Sequence, residues 1–498
     1  MSTKVEREES KQKNLKIKKI LLFSGLALAG LELIASIVLI VILGRLTIIP
    51  RDYVIMVDIL LVLICLVVVI AQRWVVAGIV AKVISLLLTI VIIVASVYLN
   101  ITYKVFNRTT GVDYKTTTVG VYVLATNEAT TMEEIKHDTF GIISELDRVN
   151  TDEAISDIQS RINQGIKTSE YADAQALVTA LYDGEVNVII LNESFIGVVE
   201  NIERFADFKQ QTKQITSFKK TEQIEEPTKG EDYLDSDEVI TIYVSGVDLE
   251  GPPTANQNSD VNIIISINKK THQIFLLNTP RDFYVPLSIS NGIPDKLTHA
   301  GIYGVDVSVG TREMLYDIDI DYYIKLNFTG FVSIIDALGG VDVYSEFEFV
   351  SYHGNDHFVV GYNHMNGKQA LGFARERYAF KTGDNQRGRN QMAVITAIIK
   401  KMASSELLKN YTEVINSIAS CMVTNMTMDD IGALVDLQLK ENISWDIVQF
   451  AVGGRGEERT GYSFDKKNYV MIPDEYLVNV ARVYLAQFHD NQVISIGG

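Results

Sequence analysis

Arg375, Arg377, Arg387 and Arg389 fall within fifteen residues, interleaved with Glu376, Asp384 and Gln391. In LGFARERYAF the spacing of two predicts a strand with Arg375 and Arg377 on one face. Asp384, Arg387 and Gln391, at i, i+3 and i+7, predict one face of a helix start. Two such elements would aim guanidinium groups at one place, and a planar, permanently charged guanidinium suits phosphate oxygens. The competing reading is a surface lattice of ion pairs with Glu376 and Asp384, which contributes little. Upstream residues favour phosphate. Asp248 ends the run ITIYVSGVD and Asp260 opens SDVNIIISI. Paired carboxylates at neighbouring strand ends can hold Mg²⁺, which takes hard oxygen ligands. Taken alone, Asp248 reads as a cap on the turn carrying Gly251-Pro252-Pro253. Thr279-Pro280-Arg281-Asp282 follows the run QIFLLN, so Arg281 also sits at a strand end, where open α/β sheets collect ligands. Asp248, Asp260, Arg281, Arg375, Arg377 and Arg387 together form an acid-plus-arginine set suited to phosphoryl transfer.

The elements that position this set read as alternating strands and helices. VITIYVSGVD, VNIIISINKKTHQIFLLNTPRD and DYYIKLNF have strand patterns, while TREMLYDI, FTGFVSIIDALGG and RNQMAVITAIIKKMAS have helical ones. Such interleaving predicts an α/β domain whose central mixed sheet is covered by helices. It spans 239–498, with its motif core at 239–400. Before it, a smaller accessory α/β domain is expected over 105–225. Its strands are read at 119–125 and 186–192, and its helices at 151–164 and 169–184, the first with Thr151 as N-cap. A polar, charged linker over 226–238 separates the two. His353, His357 and His364 match no tetrahedral zinc spacing well, and Gly453-Gly454-Arg455-Gly456 reads as a plain turn.

Three apolar runs occupy residues 20–104, each long enough to cross a hydrocarbon core as a helix. Seven Lys or Arg precede the first run, which predicts a cytoplasmic tail at 1–19 and, after three crossings, an extracellular remainder. Glu32 and Asp58 interrupt the runs. Asp58 is expected to reach the interface, and Glu32 to be protonated or to pair with a neighbouring helix. The chain has 45 basic and 62 acidic residues. Residues 1–104 hold 12 of the former and 6 of the latter, so the outer part is strongly acidic and repels nucleic acid. Cys65 lies within the second run and Cys421 far outside it, which excludes a disulfide between them. Disulfide-free outer domains are common in Gram-positive bacteria.

SGVD, SDVN, NTPRD, KLTHAGIYG, GGVDV, ARERYAF and DNQRGRNQ, in this order over about 160 residues, resemble the LytR-CpsA-Psr (LCP) family. The three spans and the accessory domain resemble its streptococcal CpsA (Wzg) type. The resemblance implies a Mg²⁺-dependent phosphotransferase, anchored in the membrane. It would move a glycopolymer, capsular polysaccharide above all, from an undecaprenyl-pyrophosphate carrier to peptidoglycan. Asp248 and Asp260 would bind Mg²⁺, while Arg281, Arg375, Arg377, Arg387, Gln391 and Lys296 would hold the pyrophosphate. Asp260, Arg281 and Asp384 would be catalytic, with Asp384 orienting arginines or serving as a base. Ile263, Ile265, Phe275 and Leu277 would line the prenyl pocket. Members often have Arg directly before the Gln of the last motif. This chain has Asn390 there and Arg389 one step earlier, so Arg387 and Arg389 both stand as phosphate ligands, with spacing favouring Arg387. The partners implied are the lipid-linked polysaccharide, peptidoglycan, the membrane, capsule assembly proteins and, as an open expectation, a second copy of the chain. Two other readings stand beside this one: a pyrophosphatase using water as acceptor, and a non-catalytic regulator or scaffold of capsule assembly.

Overall fold

A computed structural model describes residues 2–111, 114–224, 239–248, 253, 255–404, 413–414, 417 and 422–496. The expected linker at 226–238, Cys421 and the turn residues Gly251 and Pro252 lie outside the described residues.

The chain divides into two compact units. The first contains residues 1–111 and 426–442, the second residues 112–425 and 443–498. In the first unit, three helices follow one another: α1 (Ser2–Leu43), α2 (Arg51–Ala71) and α3 (Val75–Thr109). Their apolar stretches of 26, 21 and 30 residues hold 18-residue segments with mean hydropathies of 2.8, 3.4 and 2.7, enough to cross a bilayer core of ~30 Å. Ala35, Leu39, Leu61 and Ile92 pack among them. Glu32 is buried there and accepts a hydrogen bond from Ser85 Oγ of α3, so the carboxyl pairs with a neighbouring helix. A later helix, Met428–Glu441, belongs to this unit, and Met426 accepts from the Gly111 amide at 2.8 Å.

The second unit holds two sheets. The smaller has strands β1 (Tyr114–Leu124), β2 (Thr139–Ile143), β3 (Lys167–Tyr171), β4 (Val188–Asn192) and β5 (Thr212–Gln223) in the order β3-β2-β4-β1-β5. Helix α4 (Arg148–Ile162) covers one face through Ala154 and Ile158, and α5 (Ala174–Tyr182) the other through Leu177 and Leu181. The helix expected at 151–164 begins earlier, because the Thr151 amide already donates to the Asp147 carbonyl; Thr151 is an interior residue rather than a cap. The run expected as one helix at 169–184 splits into β3 and α5. Asp173 breaks it by accepting from the Ala176 amide at 2.7 Å, which starts a new helix there.

The larger sheet comprises β6 (Val239–Val247), β7 (Val261–Asn268), β8 (Gln273–Asn278), β9 (Tyr322–Asn327), β10 (Met422–Thr424) and β11 (Asp446–Ala451). Its order is β10-β9-β6-β7-β8-β11, with parallel and antiparallel pairs mixed. Helices α6 (Val305–Tyr316) and α7 (Glu475–His489) cover one face around Tyr243, Phe275, Leu277 and Phe488. Helix α8 (Asp384–Met402) covers the other through Met392 and Ile395, against Ile263 and Leu276. Gly388 makes this approach close: a Cβ there would sit 2.2 Å from Asn278 Oδ1. The two sheets are joined within the unit by several side chains. Ile302 inserts among the accessory core residues, and Lys115 meets Asp306 at 2.8 Å.

Candidate active site

The ends of β6, β7 and β8, the loop after β8 and the first turns of α8 carry the charged set. β6 and β7 pair antiparallel with Gly246 opposite Val261, so Asp248 and Asp260 leave adjoining strand ends. Asp260 is held by its amide, which donates to the Gly246 carbonyl at 2.8 Å. After β8 the chain turns at Thr279-Pro280; the Thr279 amide donates to Asn262 and the Thr298 amide to the Arg281 carbonyl. Arg281 is thereby fixed, and its Nη1 donates to Asp260 Oδ1 at 2.6 Å. Asp282, the next residue, lies 3.4 Å from Lys296 Nζ and 3.9 Å from Arg281 Nε, so it links these two cations.

Asp384 opens α8, and Arg387 is one turn on. Asp384 Oδ1 lies 2.6 Å from Arg387 Nη2, out of line for a hydrogen bond, so the contact is ionic and the oxygen keeps its acceptor capacity. Gln391, a further turn on, accepts from Asn278 Nδ2 at 3.4 Å. The helix face read from the spacing of Asp384, Arg387 and Gln391 is present. Arg387 and Arg389 separate cleanly. Arg389 donates to Gln386 and lies 3.4 Å from Glu346, whereas Arg387 faces Asp384, Arg281 and Asp260. Asn390 donates to the Phe373 carbonyl at 3.1 Å and so ties α8 to the helix before it.

The strand expected around Arg375 and Arg377 is not formed. Arg375 closes a helix, Gly367–Arg375, whose start is fixed by a capping box of Asn366 and Gln369. Arg377 follows in irregular chain, so residues two apart straddle a helix end and diverge. Arg375 lies over the Phe328 ring at 4.9 Å, with Nη2 at 3.7 Å from Asp248. Arg377 stacks on Tyr378 at 4.8 Å. Glu376 is no partner for either arginine; it is buried and accepts backbone amides.

Burial dominates the electrostatics. It pushes the Asp384 carboxyl above the ordinary aspartate range, with Arg387 opposing. It pulls Arg387 down against Asp384, and Lys296 down against Asp282. Burial also works against the Arg281 charge, but Asp260, Asp282 and Asp384 outweigh it and raise its pKa. Several desolvated cations thus face one another across carboxylates, an arrangement that a multiply charged oxyanion would relieve.

The apolar residues expected to form one prenyl pocket lie on opposite faces of the sheet. Ile265 pairs with Leu276 and Ile264 with Leu277, so Ile263 and Ile265 face α8 while Phe275 and Leu277 face α6 and α7. Alternation along a strand requires this split. Among the site residues, sequence reasoning passed over Asp282, although it stands next to Arg281, and Asn278, the last residue of β8.

The LytR_cpsA_psr family model matches residues 205–475. A Bacillus cereus protein named polyisoprenyl-teichoic acid–peptidoglycan teichoic acid transferase TagU is 38% identical over 197 residues, which cover 39% of this chain and 63% of that protein. Its namesake in Bacillus mycoides is 37% identical over 257 residues, covering 51% of this chain and 81% of that one. The crystal structure of B. subtilis TagV aligns with 52% of this chain and 100% of its own, at 26% identity and a TM-score of 0.44. With a family match over more than half of its length and a relative covered over 81%, the chain belongs to the LytR_cpsA_psr family.

Proposed function

We propose that this protein is a membrane-anchored phosphotransferase that moves a glycopolymer from a polyprenyl-pyrophosphate carrier to peptidoglycan outside the cell. One observation carries the reading: Arg281, Arg387 and Lys296 are desolvated together around Asp260, Asp282 and Asp384 at the ends of β7 and β8. The names of the TagU relatives, which specify polyisoprenyl, peptidoglycan and teichoic acid, support the same substrate class. For this chain the polymer is proposed to be capsular polysaccharide.

Arg281, Arg387 and Lys296 would grip the pyrophosphate, with Arg375, Arg377 and Gln391 at its margin. Asp248 and Asp260 supply hard carboxylate oxygens from adjoining strand ends. That donor set fits Mg²⁺, which is commonly held by one or two carboxylates plus phosphate oxygens. When bound, the ion would neutralise charge developing on the phosphate. A peptidoglycan hydroxyl would attack the phosphorus attached to the sugar. The new P–O bond forms as the bond to the bridging oxygen breaks, and the prenyl phosphate leaves. Asp384 would orient Arg387 or take the hydroxyl proton, and burial, which makes its carboxylate more basic than usual, supports the second role.

The prenyl chain would lie on the α8 face of the sheet. Ile265, Ile267, Ile324, Leu326, Ile395 and Ile399 there are only partly buried, whereas Tyr243, Phe275, Leu277 and Phe488 at the centre of the opposite face are fully buried. The basic residues in the first turns of α1, ahead of its apolar stretch, support a cytoplasmic N-terminus and would leave the α/β unit outside. The test uses the full chain in lipid nanodiscs with a lipid-linked saccharide and peptidoglycan, reading covalent attachment. Wild-type protein should transfer, and Arg281→Ala should lose about a hundredfold or more of the rate. Undiminished transfer by Arg281→Ala would reject the assigned site.

A further inference from the structure

Tyr352 and Tyr378 are exposed by 72% and 63%, and their rings meet at 5.1 Å with an interplanar angle of 55°. Tyrosine combines a large apolar ring with a polar tip, which suits exposed, positioned rings to binding surfaces. These two are held. Glu376, only 1% exposed, accepts from the Tyr352 amide at 2.5 Å and from the Tyr378 and Ala379 amides at 2.7 and 2.9 Å. One buried carboxylate therefore clamps two segments 26 positions apart and sets their rings side by side. The Tyr352 segment is also pressed against the helix ending at Arg375: a Cβ at Gly372 would lie 2.7 Å from the His353 carbonyl.

The ring pair is continuous with the charged site through Arg377. Its guanidinium lies 4.8 Å over the Tyr378 ring and donates to the Tyr378 hydroxyl at 2.8 Å. The same positive charge acts on Asp384. A ligand gripped by the arginines through its phosphates would thus meet aromatic rings next. Pyranose rings have an apolar C–H face that packs on such rings, while their hydroxyls stay in water. The pair itself bears no charge, which suits a sugar better than a further phosphate.

We propose that Tyr352 and Tyr378, positioned by Glu376, form a stacking platform for the first sugars of the pyrophosphate-linked donor. The proposal rests on the pyrophosphate reading of the arginine site and adds where the saccharide goes. The donor is its occupant because the first sugar of a donor is covalently tied to the phosphate and must lie beside it. An acceptor glycan has no such tether.

The test measures binding by the full chain in nanodiscs to two probes: undecaprenyl pyrophosphate alone, and the same lipid bearing an N-acetylhexosamine disaccharide. The double variant Tyr352→Ala/Tyr378→Ala should weaken binding of the disaccharide lipid about tenfold and leave the sugar-free lipid within about twofold. Tyr352→Phe/Tyr378→Phe keeps the rings and should restore the affinity. Glu376→Gln should raise KM for the saccharide donor while kcat holds, as expected of a positioning residue. Equal weakening for both lipids, or no weakening for either, would overturn the platform. So would a loss confined to KM for peptidoglycan, which would assign the rings to the acceptor. If the wild-type chain bound neither lipid, the pyrophosphate reading would fall and the platform with it.

Discussion

Arg387 and Arg389 stand two positions apart on α8 and do different work. Arg387 is largely shielded from solvent against Asp384 and feels Arg281 and Asp260, whereas Arg389 is more exposed beside Glu346 and Gln386. Removing a charge-stabilising donor from a transferring group typically costs about 10²–10³ in rate, so Arg387→Ala should fall by that order. Arg389→Ala should stay within about threefold, since exposed ion pairs are weak; steady-state transfer rates decide. Asp384 allows a pH test. Its carboxyl is raised by burial, and a base acts only when deprotonated, so kcat/KM should climb with pH through a value above the ordinary aspartate range. Asp384→Asn should lose both rate and climb. An unaltered acid limb in that variant would leave Asp384 as an orienting group only.

At the scale of elements, strand β9 carries an unusual interior residue. Lys325 is buried with Nζ donating to the Ala255 carbonyl, and burial pushes its pKa down to about 8. The folded chain therefore binds that proton less tightly than the unfolded chain. Below pH 8 both states hold it and the penalty is fully present, on the order of 3 kcal/mol. Between pH 8 and the ordinary lysine range only the unfolded chain holds it, so stability rises with pH across that window. Lys325→Met removes the charge but leaves the Ala255 carbonyl short of a donor, which costs about 1 kcal/mol. The thermal midpoint should rise by ~2–4 °C at pH 7, and the gain should shrink toward pH 10. A constant gain across that range would show that the charge is not its source.

Over the whole molecule, the 12 basic and 6 acidic residues of positions 1–104 contrast with the acidic remainder, against which the arginine cluster stands out by charge. The proposed topology follows from the basic tail and the three spans. In a chain with Cys65 and Cys421 replaced, a cysteine introduced at Val493, 70% exposed, should react with a membrane-impermeant maleimide in intact cells. One at Lys16 should react only after permeabilisation. Labelling of Lys16→Cys in intact cells would reverse the orientation.

Much of this was legible in the chain itself. The apolar runs declared themselves by length, and the alternating patterns of the large domain by period, because both are local properties. The i, i+3, i+7 spacing marked one face of α8 for the same reason. Errors arose where local pattern is ambiguous. ARER reads as a strand by spacing, yet the capping box at Asn366 commits the preceding residues to a helix, so Arg375 and Arg377 part. Ile263 and Phe275 are equally apolar, and only strand register decides which side of the sheet each faces. Sequence alone thus determined the inventory of charges, the spans and the strand-end placement of Asp248, Asp260 and Arg281. Tertiary structure decided which arginine meets Asp384, which face of the sheet each apolar side chain joins, and that Glu376 serves two tyrosines rather than two arginines. Those are contacts between segments distant in the chain, which no local spacing encodes.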